Sequence, residues 1–215
     1  MSFESIELNI EFPSQINKFW GTSSNSFYIV GNSGLIAHYN GQSWQKLESG
    51  TELNINDIWG SENIQGSLQI IAVAGNLLHG YQSERAILKI SGNKAAIINS
   101  TGTGWPLSSV WFKTNSKYYV AGSGIFENNT SPEGGWKSLG ITDYMIYKIR
   151  GDGLNNIAAC GGLGEIIHFN GISWKSFVAE TQLPSGNYYG ISIKEDLIVA
   201  VGFNGASAVI TVGRR

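Results

Sequence analysis

FWGTSSNSFYIVGNSGLIAHYNGQSWQKLESG, residues 19–50, carries a pattern that returns along the whole chain. A tryptophan stands eleven residues before a glycine that ends an apolar run, here Trp20 and Gly31. The spacing recurs at Trp111/Gly122, at Arg150/Gly161 and at Ile191/Gly202, and in a form stretched by five residues at Trp59/Gly75. Five copies in 215 residues is roughly 43 residues per copy, inside the window of about 20–50 that marks solenoids, propellers and arrays.

Within the quoted stretch the strands are short and separated by turn residues. Phe27–Gly31 and Leu35–Tyr39 flank Asn32–Gly34, and Asn40-Gly41 leads into Ser43–Leu47. Asn-Gly between apolar runs predicts a tight hairpin of type I′, which needs positive φ at both central residues. The same device stands at Asn170-Gly171 in HFNGISW. Each copy therefore predicts four antiparallel strands, over residues 16–47, 54–99, 107–139, 145–178 and 187–212.

The fifth copy supplies three strands and no aromatic fourth. SIELNIEF (Ser5–Phe12) alternates apolar and polar residues like a half-buried strand, and pairing it with Ala206–Val212 would complete the last unit. The expectation is an all-β, five-bladed β-propeller of a single domain, closed by its N-terminal strand, because ring closure removes exposed sheet edges. The alternative is a piece of a larger ring, such as one of seven blades.

Composition supports short strands and tight turns. Charged residues are 14%, against a usual quarter, while there are 28 glycines and 12% aromatics. The net charge is −2 without a basic cluster, which argues against nucleic acid as a partner. The start MSFESIELNIEF lacks a basic region and an apolar core, and no run reaches membrane-spanning length, so membrane insertion is not expected. Cys160 stands where other copies have Val30, Ala74, Ala121 and Val201, a small apolar site.

Asp57-Ile58-Trp59-Gly60, Val30-Gly31, Asn40-Gly41 with Trp44, and Asn170-Gly171 with Trp174 resemble the repeats of the photosystem-assembly-factor and sialidase-like superfamily of β-propellers. Repeats of this type are common in bacterial secreted and surface proteins, so the resemblance implies a secreted or cell-surface location. It implies a fold, not a chemistry. The sialidase box places Asp two residues before its Gly, whereas here Asn is adjacent to Gly, and sialidase activity is not carried over.

Six of the seven tryptophans belong to the repeat: Trp20, Trp59 and Trp111 on first strands, Trp44, Trp136 and Trp174 on fourth strands. Trp105 lies outside it, in a loop between one unit and the next, with an exposed-site and a packed-loop reading both open. His38 and His168 hold equivalent repeat positions in different units and are not placed to share a metal; His79 has no HxH or HxxxH partner. Arg150 replaces a repeat tryptophan, as a stacked structural residue neutralised by Asp152 or as an anion-binding one.

Loops entering first strands and loops between second and third strands share one end of a propeller. That face is expected to carry Leu53, Trp105, Tyr144 and Leu183, and with them Asn32, His79, Tyr81, Arg85, Leu163, Phe203 and Asn204. From it, Trp105, Tyr144, His79, Tyr81, Arg85, Phe203 and Asn204, with Arg150, form the candidate ligand-binding set. Exposed aromatics and amides suit a carbohydrate or protein partner. An enzyme would need two carboxylates converging, from Glu52, Glu84, Asp143 and Glu180. These share no motif, so the sequence favours a non-catalytic, monomeric binding module without cofactor or metal over a glycan-cleaving hydrolase or a purely structural domain.

Overall fold

The computed structural model describes residues 15–77 and 84–214. Five antiparallel sheets follow one another along the chain. Sheet 1 holds β1 (Ile16–Ser23), β2 (Ser26–Gly31), β3 (Ile36–Tyr39) and β4 (Trp44–Lys46). Sheet 2 holds β5 (Ile55–Glu62), β6 (Leu68–Gly75), β7 (Arg85–Ser91) and β8 (Lys94–Ile98). Sheet 3 holds β9 (Leu107–Lys113), β10 (Lys117–Gly122), β11 (Gly124–Asn128) and β12 (Lys137–Ser138). Sheet 4 holds β13 (Ile146–Gly153), β14 (Asn156–Gly161), β15 (Ile166–Phe169) and β16 (Trp174–Ser176), followed by one helical turn, α1 (Val178–Thr181). Sheet 5 has β17 (Asn187–Lys194), β18 (Leu197–Asn204) and β19 (Ser207–Arg214).

The sheets stack face on face. First strands pack in succession, β1 on β5, β5 on β9, β9 on β13 and β13 on β17. This explains why the second strands of sheets 2, 3 and 4 read as continuous apolar runs: each of these lies between two neighbouring sheets. All six residues of β14 are buried, because both its faces meet protein. Tyr28, Val30 and Ile36 of sheet 1 meet Ile58, Ala72 and Leu88 of sheet 2, and similar clusters fill the later interfaces.

The repeat glycine has a steric cause. A Cβ on Gly31 would stand 2.1 Å from the Gln15 carbonyl oxygen, one on Gly161 2.1 Å from that of Met145, and one on Gly202 1.8 Å from that of Asn187. The chain entering each first strand crosses there, and only glycine admits the approach.

A second repeated device went unread in the sequence. Asn17 Nδ2 donates to the Asn32 side chain (2.8 Å) and to the Ile55 carbonyl of the next sheet (3.0 Å). Asn56 Nδ2 donates to the Gly75 and Leu107 carbonyls, both at 2.7 Å, and Ser108 Oγ to those of Ala121 and Ile146. Asn56 and Ser108 tie their own second strand to the following first strand, and Asn17 ties the loop after β2 to β5 in the same way. The signal was present as INKFWG, INDIWG and LSSVWF, with a small polar residue after the leading apolar one.

The Asn-Gly turns differ from type I′. Gly41 and Gly171 have φ of 92° and 94°, but neither asparagine before them has positive φ. Each turn is a four-residue loop in which the asparagine side chain accepts backbone N–H bonds from the two residues that close it, Gln42 and Ser43 or Ile172 and Ser173. Asparagine here acts by side-chain capture of the backbone rather than by left-handed geometry.

Among the described residues β19 pairs only with β18, and β17 makes no packing against β1 comparable to that between the other first strands. The expected pairing of Ser5–Phe12 with β19 lies outside the described residues.

Candidate functional site

The loops entering first strands and those between second and third strands meet at one end of the molecule, and backbone bonds join them. Gly34 N donates to Leu53 O (2.9 Å), Gly162 N to Met145 O (2.8 Å) and Gly164 N to Gly186 O (2.8 Å). The loops leaving the second strands of sheets 1 and 4 are thereby fixed to the loops entering sheets 2 and 5, and the sheet 4 loop also to the one entering its own sheet. These loops are braced against one another rather than standing as independent tips.

The sequence-derived residues distribute along this surface as follows. Trp105 is half-buried in the loop before β9, and Tyr144, in the loop before β13, is 39% exposed. Phe203 at the end of β18 is 42% exposed, and Asn204 beside it accepts a bond from Ser185 Oγ at 2.9 Å. Arg85 opens β7 half-buried, its Nε buried without a hydrogen-bond partner among the described residues. His79 and Tyr81 lie outside the described residues.

Phe203 belongs to an aromatic ladder that sequence reasoning missed. Its ring stacks on Tyr189 at 5.4 Å, and Tyr189 stacks on Tyr147 at 4.7 Å. The ladder crosses from sheet 4 to sheet 5. Tyr147 occupies the repeat position where other sheets use Asn17, Asn56 and Ser108, which is the signal that locates it.

Glu52 and Glu84 line one open hollow of about 790 Å³, with Arg85, Leu53 and Asn76. Asp143 and Glu180 do not line it. Glu180 pairs with Lys175 at 3.0 Å on another side of sheet 4, and its bond with Lys175 lowers its carboxyl below the ordinary value.

Arg150 sits deeper, on β13. Its guanidinium lies 5.3 Å from the Trp59 ring centroid and makes a two-point pair with Asp57, both bonds at 2.9 Å. It also donates to Ser109 Oγ and to the carbonyls of Val110 and Ile149. Asp57 is fully buried, accepts from Ser109 Oγ and Val110 N, and has Lys148 Nζ at 3.6 Å. Burial alone would raise its pKa; the charges of Arg150 and Lys148 and the bonds from Arg150 and Ser109 bring it down to about 2. The sequence had offered Asp152 as the neutralising carboxylate. The Asp152 carboxylate instead accepts from the Glu195 backbone N–H, because Arg150 points inward across three sheets toward β5.

Among the described residues no group of three His, Cys, Asp or Glu side chains is placed to hold a metal. His38 stacks on Tyr28 at 4.2 Å in sheet 1, and His168 bonds Asn156 at 2.8 Å in sheet 4. No helix of the described residues is long and apolar enough to cross a membrane.

No family model and no curated protein matches the chain. Solved structures do. The chain is similar to a structure titled "YCF48 bound to D1 peptide" at 18% identity and a TM-score of 0.66, over 99% of this chain and 67% of that one. It matches YCF48 from Cyanidioschyzon merolae at 13% identity and 0.65, over 98% and 72%. The WD40 domain of Sif2 follows at 13% and 0.52, over 97% and 68%. The fold is that of a β-propeller. At these identities the likeness concerns the fold alone, and each sheet can from here be called a blade. The resemblance to photosystem assembly factors read from the repeat agrees with these neighbours.

Proposed function

We propose that this propeller is a non-catalytic binding module for a protein partner, engaged as a peptide segment through the loop face that carries Trp105, Tyr144, Arg85, Phe203 and Asn204. The observation behind this reading is the braced loop surface with partly exposed aromatic rings at intervals along it. Rigid aromatic groups beside amides bury large area at low entropic cost, which suits peptide recognition. The solved YCF48 structure with a bound peptide supports the class of partner. Arg150 enters the proposal as a residue that stiffens blades 2 to 4 beneath the face.

The test is a displayed library of random peptides selected on the full chain. Selected peptides should lose affinity in Trp105→Ala and Tyr144→Ala without a matching fall in melting temperature. Equal loss of stability with unchanged affinity would assign these rings to packing. A glycan array on the same variants measures the carbohydrate alternative, which the Tyr147–Tyr189–Phe203 ladder favours through its stacked, partly exposed rings.

A further inference from the structure

Each first strand carries a β-bulge near its start, and one residue follows it: Lys18, Asp57, Ser109, Lys148 and Gly190 in blades 1 to 5. A bulge re-aims the side chain next to it. The first strands are also those that pack on one another from blade to blade, so these five positions form one layer across the inner strands. Side-chain contacts join the layer between blades. Ser109 Oγ donates to Asp57 at 2.5 Å, and Lys148 Nζ lies 3.6 Å from the same carboxylate, although the three residues stand on three blades.

The charges in this layer do not balance. Arg150 stands two residues along β13 from Lys148, hence on the same face, and takes both oxygens of Asp57. That pair is neutral by itself. Lys148 is left with a longer approach to a carboxylate already engaged, and Lys18 has, among the described residues, only the Phe19 ring at 5.8 Å. Lys18, Lys148 and Arg150 set against Asp57 leave an excess of two positive charges. The lysines act on each other: burial is the main cause that lowers the Lys148 pKa, Asp57 opposes it, and the charges of Arg150 and Lys18 add to the lowering. The Lys148 side chain is 20% exposed and that of Arg150 12%, so solvent ions screen this excess poorly.

Half-buried charge of one sign needs a partner of the other. Low-dielectric walls lined by one sign of charge concentrate the opposite ion. An excess of two charges matches a phosphate group, which carries about −1.5 to −2 at neutral pH. Lysine serves phosphate as a point charge with three donors. Blade 5 places glycine at this level, so no side chain of Gly190 competes with the lysines for room. The residues inside the bulges of blades 4 and 5 are Tyr147 and Tyr189, two rungs of the aromatic ladder that ends in Phe203. A phosphate carried on a ring would meet a stacking surface beside the lysines.

We propose that Lys18 and Lys148 hold a phosphate group between the inner strands of blades 1 and 4, as the free ion or as a small monoester. The site is separate from Trp105 and Tyr144 and does not depend on the peptide-binding reading.

Titrating the full chain with inorganic phosphate and with phenyl phosphate at constant ionic strength, followed by calorimetry and melting temperature, tests the proposal. Phosphate should raise the melting temperature as its concentration rises, because a ligand of the folded state stabilises it by mass action. Lys148→Gln and Lys18→Gln should each weaken binding at least about tenfold, the worth of one charge-assisted bond, while Trp105→Ala leaves it unchanged. Lys18→Glu supplies the opposing charge from within the chain. It should abolish phosphate binding and melt higher than the parent in phosphate-free buffer, a readout that stands even if Lys148→Gln fails to fold. Tighter binding of phenyl phosphate, lost in Phe203→Ala, would assign a monoester; equal affinity for both compounds would assign the free ion. No binding of either compound, or binding that both glutamine variants retain, would overturn the proposal. So would a Lys18→Glu chain that melts no higher than the parent.

Discussion

The Trp111 ring lies across Gly151, its Cζ2 atom 2.7 Å from where a Cβ on that residue would stand. Trp20 covers Gly60 in the same way, its Cη2 at 2.2 Å. The tryptophan of one blade and the glycine of the next are thus two halves of one contact. Neither glycine has positive φ, so alanine there meets a steric obstacle and not a backbone one. Gly151→Ala is expected to cost about 1–3 kcal/mol by overpacking. Trimming the ring in Trp111→Leu should recover part of that loss in the double variant, measured by chemical denaturation. Additive losses would mean that the contact does not carry the effect.

Trp111→Phe is the control for this argument. The Trp111 indole nitrogen is buried without a hydrogen-bond partner among the described residues, so the ring change forfeits no polar bond. The expected loss comes from the smaller ring alone and stays below that of Trp111→Ala, where about 3–5 kcal/mol is usual for a buried aromatic. Denaturation midpoints of the two variants check the order.

The pair Asp57–Arg150 governs the acid limb of stability. The Asp57 carboxyl lies near 2 in the folded chain and near 3.8 when exposed, so its folded value is depressed. Its contribution is therefore fully present above about pH 4 and is lost as pH falls from there toward 2. Arg150→Met should cost about 3–5 kcal/mol at neutral pH, because Asp57 stays buried with its main partner gone. That variant should also show a flatter stability profile between pH 4 and 2, or one of reversed slope. A slope equal to that of the parent chain would show that other carboxylates set the acid limb.

The fold was legible in the sequence because its repeat is enforced by packing. Trp20, Trp59 and Trp111 fall on first strands, and Gly31, Gly161 and Gly202 mark backbone crossings that admit no Cβ. What stayed hidden depends on pairs distant in sequence. Arg150 and Asp57 are 93 positions apart, and no local pattern assigns one to the other. Tyr147, Tyr189 and Phe203 form a ladder only once β13, β17 and β18 lie side by side.

Asn56 offers a test of the inter-blade ties. Its amide reaches the carbonyls of Gly75 and Leu107, so Asn56→Leu removes two bonds and leaves two acceptors between blades without this donor. A loss of about 1–3 kcal/mol is expected. If amide exchange shows the interface of blades 2 and 3 opening no faster in the variant, the tie is not what holds those blades together.

Cys160 can report on blade 4 directly. It is fully buried, its thiol donates weakly to the Tyr188 carbonyl across the interface with blade 5, and burial pushes its pKa up to about 12. Nucleophilic attack requires the thiolate, which is scarce at neutral pH at such a value, and access, which the packing denies. Thiol reagents should leave the native chain unmodified and label it stoichiometrically in denaturant. The labelling rate at intermediate denaturant should then follow the opening of the interface between blades 4 and 5. Rapid labelling of the native chain would show that this interface opens on its own.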